Sequence, residues 1–214
     1  MAATSAGKTY HHGDLRNALI CAAVDLATEG GPERVVLREA ARRVGVSPTA
    51  AYRHFDGRGE LLRTVRTHAR RELAAAMERA AAREPGADDP GLAAERRVTA
   101  LCRGYVGFAV EQPGLYRAAF CVPGPAVDEP LPVRPPAEPE ILAFTLLREA
   151  LEALAGQGAA RPGGRPATAA AAWSAVHGLS LLLVDGPLRR LSAQRRGVVV
   201  EATLAMVVSG AAVG

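Results

Sequence analysis

Lysine is almost missing from this 214-residue chain: Lys8 is the only one, so arginine carries nearly all of the positive charge. Aromatic residues make up 4%, so the core must be built mainly from aliphatic side chains. Runs of β-branched residues are scarce. The one at 198–200 continues into Glu201–Ala205, which reads as helix, so no strand is expected. The three cysteines, Cys21, Cys102 and Cys121, lie far apart. Their spacing excludes a zinc knuckle and a disulfide framework, and they are expected to be small buried hydrophobes in a reducing cytoplasm. The first sixteen residues lack the apolar run of a signal peptide. The longest apolar stretch, 169–184, is broken by Trp173, Ser174, His177, Gly178 and Ser180, and is expected to be too short and too polar for a membrane span. A Gly-rich phosphate loop, a metal-ligand spacing and a nucleophile motif are all missing. Ser174, His177 and Asp185 do not build a triad with an oxyanion hole. His11 and His12 have no carboxylate or thiol neighbour to complete a metal site. No catalytic residue, metal or cofactor is therefore assigned, and an enzyme is not expected.

What is present is 49% apolar residues, enough for a large core, with alanine and arginine prominent. The charge is uneven. Residues 1–83 hold 14 Lys+Arg against 9 Asp+Glu, a net of +5, and residues 84–214 hold 12 against 13, a net of −1. A polyanionic partner is therefore assigned to the N-terminal part. That part contains the most informative stretch, residues 38–62. Leu37, Ala40, Ala41 and Val44 recur at the spacing of one helix face. Gly45 follows where a helix end favours a left-handed residue. Ser47 can cap a second helix whose first position suits Pro48. The result is a helix, a turn and a short helix over 48–55, with Thr49, Tyr52, Arg53 and His54 presenting polar or amphipathic side chains.

The remaining chain reads as an all-helical protein of about nine helices: 15–28, 37–44, 48–55, 59–83, 92–111, 114–120, 140–155, 166–184 and 193–209. Asp14 is placed as a cap or first-turn acid of the first helix. The fourth helix is long enough to join two domains. Breaks fall at 84–91, at the Pro-rich 121–139 and at 156–164. The expected division is an arm (1–13), a helix-turn-helix DNA-binding domain (14–58), a connecting helix (59–83) and a C-terminal helical domain (84–214), to which the family resemblance given next assigns effector binding and dimerisation.

Leu37-Arg38-Glu39-Ala40-Ala41, Gly45-Val46-Ser47, Tyr52-Arg53-His54-Phe55, Arg58 and Leu61 together resemble the DNA-binding domain of the TetR family of bacterial transcriptional regulators. Tyr10 to Arg16 resembles the lead-in of one subgroup. Trp173, His177 and Gly178, followed by Asp185-Gly186, resemble that subgroup's WHG-type C-terminal signature. The resemblance implies a homodimer joined through the eighth and ninth helices, with two helix-turn-helix units on a palindromic double-stranded operator. It also implies a small-molecule effector held among helices 4 to 8. On that basis Tyr52, His54 and Arg58 are expected to hold backbone phosphates, Thr49 and Arg53 to reach base edges or phosphates, and Ala50 to meet a thymine methyl. Ser47 is a cap first and a phosphate ligand second. Many relatives place Thr or Ser where this chain has Val36, so either the second helix starts uncapped, at a cost of roughly 1 kcal/mol, or Arg34 or Arg38 supplies that phosphate contact.

In the C-terminal half, Tyr105, Phe108, Tyr116, Phe120, Phe144, Trp173 and His177 either line an effector pocket or form plain core, with His177 bonded to a neighbouring backbone group. The function expected is a repressor released from its operator by a small effector. The alternative is a DNA-binding regulator without a small ligand, controlled by a protein partner or by its abundance.

Overall fold

Alanine-rich helices can approach closely, and this chain uses that to fold entirely from helices and turns among its described residues. The structure is a computed structural model that describes residues 12–120, 142–156 and 164–212. The expected Pro-rich loop at 121–139, the arm at 1–11 and Cys121 lie outside the described residues. The helices are α1 (His12–Gly30), α2 (Leu37–Val44), α3 (Pro48–Tyr52), α4 (Arg58–Ala81), α5 (Pro90–Glu111), α6 (Pro113–Phe120), α7 (Leu142–Ala155), α8 (Gly164–Val184) and α9 (Ala193–Ala212). Two 3-10 turns, Pro32–Arg34 and Pro187–Arg190, join α1 to α2 and α8 to α9.

Most boundaries follow local chemistry. Gly45 ends α2 at φ 78°, in the left-handed region. Val46 N–H then donates to the Ala41 carbonyl at 3.0 Å and Gly45 N–H to Arg42 at 3.2 Å, a Schellman ending. Ser47 Oγ accepts from Ala50 N–H at 3.2 Å and caps α3, with Pro48 in the first turn. Asp89 caps α5 through Leu92 N–H at 2.6 Å. Val36 provides no cap for α2. Two expectations are corrected. The third helix stops at Tyr52 rather than running to residue 55, because Arg53 and His54 N–H reach back three residues, to Ala50 and Ala51, and tighten the end. The first helix starts at His12 rather than at residue 15, which makes Asp14 its first-turn acid and not its cap.

The helices enclose two apolar cores. The first gathers Leu19, Ala23 and Leu26 of α1, Leu37, Ala40 and Ala41 of α2, Ala51, Phe55, and Leu61, Leu62 and Val65 of α4. The second runs from Ala69, Leu73 and Met77 of α4 through α5, α6, α7, α8 and α9. A single helix, α4, therefore serves both cores. It also lies close to α5, where a Cβ on Gly104 would stand 2.8 Å from the Ala76 carbonyl and the Met77 Cα. A second element also spans them: α6 places Ala118 in the first core and Leu115, Tyr116 and Ala119 in the second. Its approach to α1 is close. A Cβ on Gly114 would collide with the Ala27 carbonyl oxygen and stand 2.6 Å from that of Thr28.

Over Ala167–Val184, α8 has the length and composition to cross a membrane, contrary to the expectation from its polar interruptions. Its Ala169, Ala172, Val176, Leu179 and Leu183 are nonetheless buried in the second core, as in the core helix of a globular domain. Cys102 is buried, which pushes its thiol pKa up to about 12, whereas Cys21 is exposed rather than buried as expected.

Gly114→Ala should destabilise the fold by about 1–3 kcal/mol, because both obstacles are backbone carbonyls that cannot rotate away. Gly107→Ala, where a Cβ meets nothing within 4 Å, should instead stabilise by up to about 1 kcal/mol through helix propensity. Urea unfolding of the two variants checks the contrast.

Candidate nucleic-acid interface and aromatic cluster

The outer surface of α3 is built by exclusion. Ala51 and the following Phe55 are buried, which turns Thr49, Tyr52 and Arg53 outward. Tyr52 is 50% exposed, a large exposure for an aromatic ring within two turns of a core. Ala50 and His54 are half-buried. Ser47, at the start of this face, is exposed even while its hydroxyl caps the helix. Arg38 projects from the first turn of α2 into an open cleft of about 620 Å³ that it shares with Arg34, Val36, Arg42, Glu33 and Glu39. The expected group of Ser47, Thr49, Ala50, Tyr52, Arg53 and His54 is thus brought onto or beside one short helix, and Arg38 lies at the neighbouring helix start.

Arg42 and Arg43 are held laterally. Arg42 Nε and Nη2 donate to Glu39 at 2.9 and 2.6 Å, and Arg43 makes a two-pronged pair with Glu29 of α1 at 2.7 and 2.6 Å. The bond from Arg42 holds the Glu39 carboxyl down to about 2, and the bond from Arg43 lowers that of Glu29. The second pair ties the end of α2 to the end of α1.

Arg58 makes contacts within the fold that its expected role did not include. Its Nε donates to the Val35 carbonyl at 2.9 Å and its Nη2 to that of Pro32 at 2.8 Å. The guanidinium fork therefore joins the start of α4 to the turn before α2 and acts as a brace between them. A motif match marks the residue but does not reveal its partner, because the two carbonyls lie 23 and 26 residues back in the chain.

In the second core, Tyr105 of α5, Tyr116 and Phe120 of α6, Phe144 of α7, and Trp173 and His177 of α8 converge. Trp173 and His177, one helical turn apart, stack with ring planes 7° from parallel and centroids 5.9 Å apart. Tyr105 meets Trp173 edge-on at 5.1 Å, Phe144 meets it at 5.6 Å, and Phe120 meets His177 at 4.7 Å. Phe108 is the exception. It is buried in the same core, but makes no ring contact with this group among the described residues.

His177 Nδ1 lies 2.7 Å from the Tyr105 hydroxyl and 2.9 Å from that of Tyr116. An unprotonated Nδ1 accepts from one hydroxyl only, leaving the other to a second acceptor such as the His177 carbonyl, 3.4 Å from Tyr116 Oη. A protonated Nδ1 would instead donate to one of them. Side chains on α5 and α6, rather than a backbone group, thus hold this ring. Burial lowers the pKa of His177 and raises that of Tyr105, and it pushes Tyr116 up to about 12. The expected pocket residues other than Phe108 are therefore one connected group. The element sequence reasoning undervalued is α6. Beside Tyr116 it carries Arg117, which pairs with Asp185 at 2.6 Å and lies against Gly31, and Gly114, which touches α1.

Residues 98–207 match the family described as Tetracyclin repressor-like, C-terminal domain, and residues 19–65 match Bacterial regulatory proteins, tetR family. No curated protein sequence matches the chain. Among solved structures it is similar to a protein of unknown function from Rhodococcus sp. RHA1, at 26% identity and a TM-score of 0.72, covering 95% of this chain and 98% of that one. It is also similar in fold to a tetR-family transcriptional regulator from Streptomyces coelicolor, at 21% identity and a TM-score of 0.58 over 94% and 83% of the two chains. A bacterial regulatory protein in the tetR family from Rhodococcus RHA1 shares the fold at 19% identity and a TM-score of 0.55, over 90% and 96%.

Arg58→Lys keeps the charge but loses the planar fork whose Nε and Nη2 each reach one carbonyl, so it should cost about 1–2 kcal/mol in urea unfolding. For His177, whose folded pKa is lowered, the unfolded chain binds more protons between the folded and unfolded values. Its contribution to stability is complete above the unfolded value of roughly 6.5 and is lost as pH falls toward the folded one. His177→Gln should flatten thermal stability between pH 7.5 and 5.5 relative to the parent chain.

Proposed function

This chain belongs to the tetR family of bacterial regulatory proteins, and from that premise we propose that it is a homodimeric cytoplasmic repressor, released from a palindromic DNA operator by a small-molecule effector. One observation carries the reading: a capped helix-turn-helix whose second helix turns Thr49, Tyr52 and Arg53 outward in the net-basic part of the chain. Tyr52 and His54 donate to backbone phosphates, Ser47 and Arg38 add contacts at the two helix starts, and Thr49, Ala50 and Arg53 face the bases. Ala50 offers a methyl and no donor, so base discrimination rests on Thr49, Arg53 and the spacing of the two heads.

Dimerisation through α8 and α9 is supported by apolar side chains that one chain leaves uncovered. Val198 is 67% and Met206 61% exposed, and Leu181 and Leu182 are also exposed. An apolar groove of about 220 Å³ between the two helices, lined by Ala171, Ala172, Ala175, Met206 and Val207 among others, can receive a partner's side chains. A Cβ on Gly178 would meet nothing within this chain, which fits a role in close helix approach across the interface.

The aromatic group around Trp173 and His177 suits an apolar effector with a planar part and at least one polar group. An effector that displaced Tyr116 from His177 would shift α6, and with it the end of α1. Release then requires only that the effector bind the shifted arrangement more tightly.

A gel shift with DNA flanking the protein's own gene, at two salt concentrations, tests the reading. A folded dimer that shifts no palindrome at either salt would sink it. Tyr52→Phe should weaken binding roughly tenfold on every sequence tested, since a lost hydrogen bond to a charged group costs about 1.5 kcal/mol; unchanged affinity would remove Tyr52 from the phosphate contacts.

A further inference from the structure

Arg189, Arg190, Arg195 and Arg196 fall within eight residues of the chain, around the turn from α8 into α9. The first three are exposed and Arg196 is half-buried. None of the four makes an ion pair or hydrogen bond through its guanidinium among the described residues. Their surroundings work against them. The first turn of α9 contains no acidic residue, and two arginines stand there against the positive end of the helix dipole. Two more lie just ahead, adding like-charge repulsion within the screening distance of about 10 Å at 0.1 M salt. Elsewhere the arginines of this chain often meet acidic partners, as Arg42, Arg43, Arg103 and Arg117 do. Asp185 shares a cleft with Arg189 and Arg190, and Glu111 shares one with Arg196, yet neither pairs with them among the described residues, so the cluster keeps a local excess of positive charge in a half of the chain whose net charge is −1.

Its position supplies a reason. Val110 and Glu111 at the end of α5 line one cleft with Ala193 and Arg196 at the start of α9, and Arg117 of α6 pairs with Asp185 after α8, so these helix ends gather at the end of the second core where α6 meets α1. Gly114 touches the last carbonyls of α1 there. Arg117 bridges from Asp185, at 2.6 Å, to the neighbourhood of Gly31. Asp185 and Gly186 share an open cleft of about 420 Å³ with Pro187, Arg189 and Arg190. The four arginines thus lie at the end of the second core from which α6 reaches α1. We propose that this cluster is a second contact for the phosphate backbone of the DNA that the helix-turn-helix reads. The inference rests on the DNA-binding reading above. Such a contact carries no base information and acts through charge and counterion release.

The test is the salt dependence of affinity for duplex DNA, comparing the parent dimer with a chain carrying Arg189→Gln, Arg190→Gln, Arg195→Gln and Arg196→Gln, and with the fourfold lysine counterpart. If each protomer neutralises one phosphate through this surface, the glutamine chain should show a slope of log affinity against log salt shallower by about 2, and roughly tenfold or greater loss at 0.1 M salt. The lysine chain should recover most of both. Thermal unfolding and sedimentation check that the variants are folded and dimeric, and removing the four charges is expected to raise the melting temperature slightly. An unchanged slope and affinity in a folded dimer overturns the inference alone. A glutamine chain that falls to monomers overturns it as well, since the cluster would then be a subunit contact. The same holds if the substitutions remove binding to phosphatidylserine vesicles and leave DNA binding intact. A parent chain that binds no duplex instead overturns the DNA-binding reading beneath it.

Discussion

The backbone carbonyls of Ala27 and Thr28 leave no room for a side chain at position 114. That exclusion lets α6 lie against the end of α1 while its other face enters the second core. Carbonyl oxygens at a helix end cannot rotate aside as a side chain can, so the contact transmits displacement instead of absorbing it. Ala118 then enters the core of the reading head, Tyr116 reaches His177, and Arg117 meets Asp185. One eight-residue helix thus connects the aromatic cluster, the α8–α9 turn and the DNA-reading unit.

The connecting helix α4 is the more visible link, since it supplies Leu61, Leu62 and Val65 to one core and Ala69, Leu73 and Met77 to the other. A continuous helix resists bending, and its two ends therefore move together. With α6 as a second strut, motion at the aromatic cluster acts on the reading head at two places: the start of α4, braced by Arg58, and the end of α1, touched by Gly114. The reading head is held as a unit by Arg58 on the Pro32 and Val35 carbonyls and by Arg43 on Glu29. The exposed ion pair adds about 0–1 kcal/mol and chiefly sets orientation. The partly buried carbonyl bonds of Arg58 matter more, because a charged donor that loses its acceptors is costly to leave unsatisfied.

Arginine does different work at each site although the composition is uniform. Arg58 is a brace between elements, Arg42 and Arg43 are neutralised laterally, and Arg189, Arg190, Arg195 and Arg196 have no guanidinium partner among the described residues. Net charge by region places a polyanion at the N-terminal half, but an average of −1 over the other half conceals a dense local cluster. Screening over about 10 Å makes the local arrangement, not the sum, the quantity that a polyanion meets.

Much of the helix-turn-helix was legible in the residues alone. Gly45, Ser47 and Pro48 act through bonds to groups within five residues, so their chemistry can be read without knowing the fold. The helical faces of α2 and α4 were legible for the same reason, since periodicity is local. The early end of α3 was not, because short-range signals specify boundaries weakly. Nor were the partners of Arg58, the meeting of Tyr105 and Tyr116 at one nitrogen of His177, or the absence of Phe108 from that ring cluster. These depend on elements separated by tens of residues and on which side of a helix faces which neighbour. By itself the sequence determined the all-helical class, the turn chemistry and the family. The tertiary structure alone decided which arginines are bound, which aromatics share a cluster and that α6 bridges the two cores. Those outcomes depend on non-local packing, where a missing Cβ at Gly114 or two distant carbonyls at Arg58 set the result.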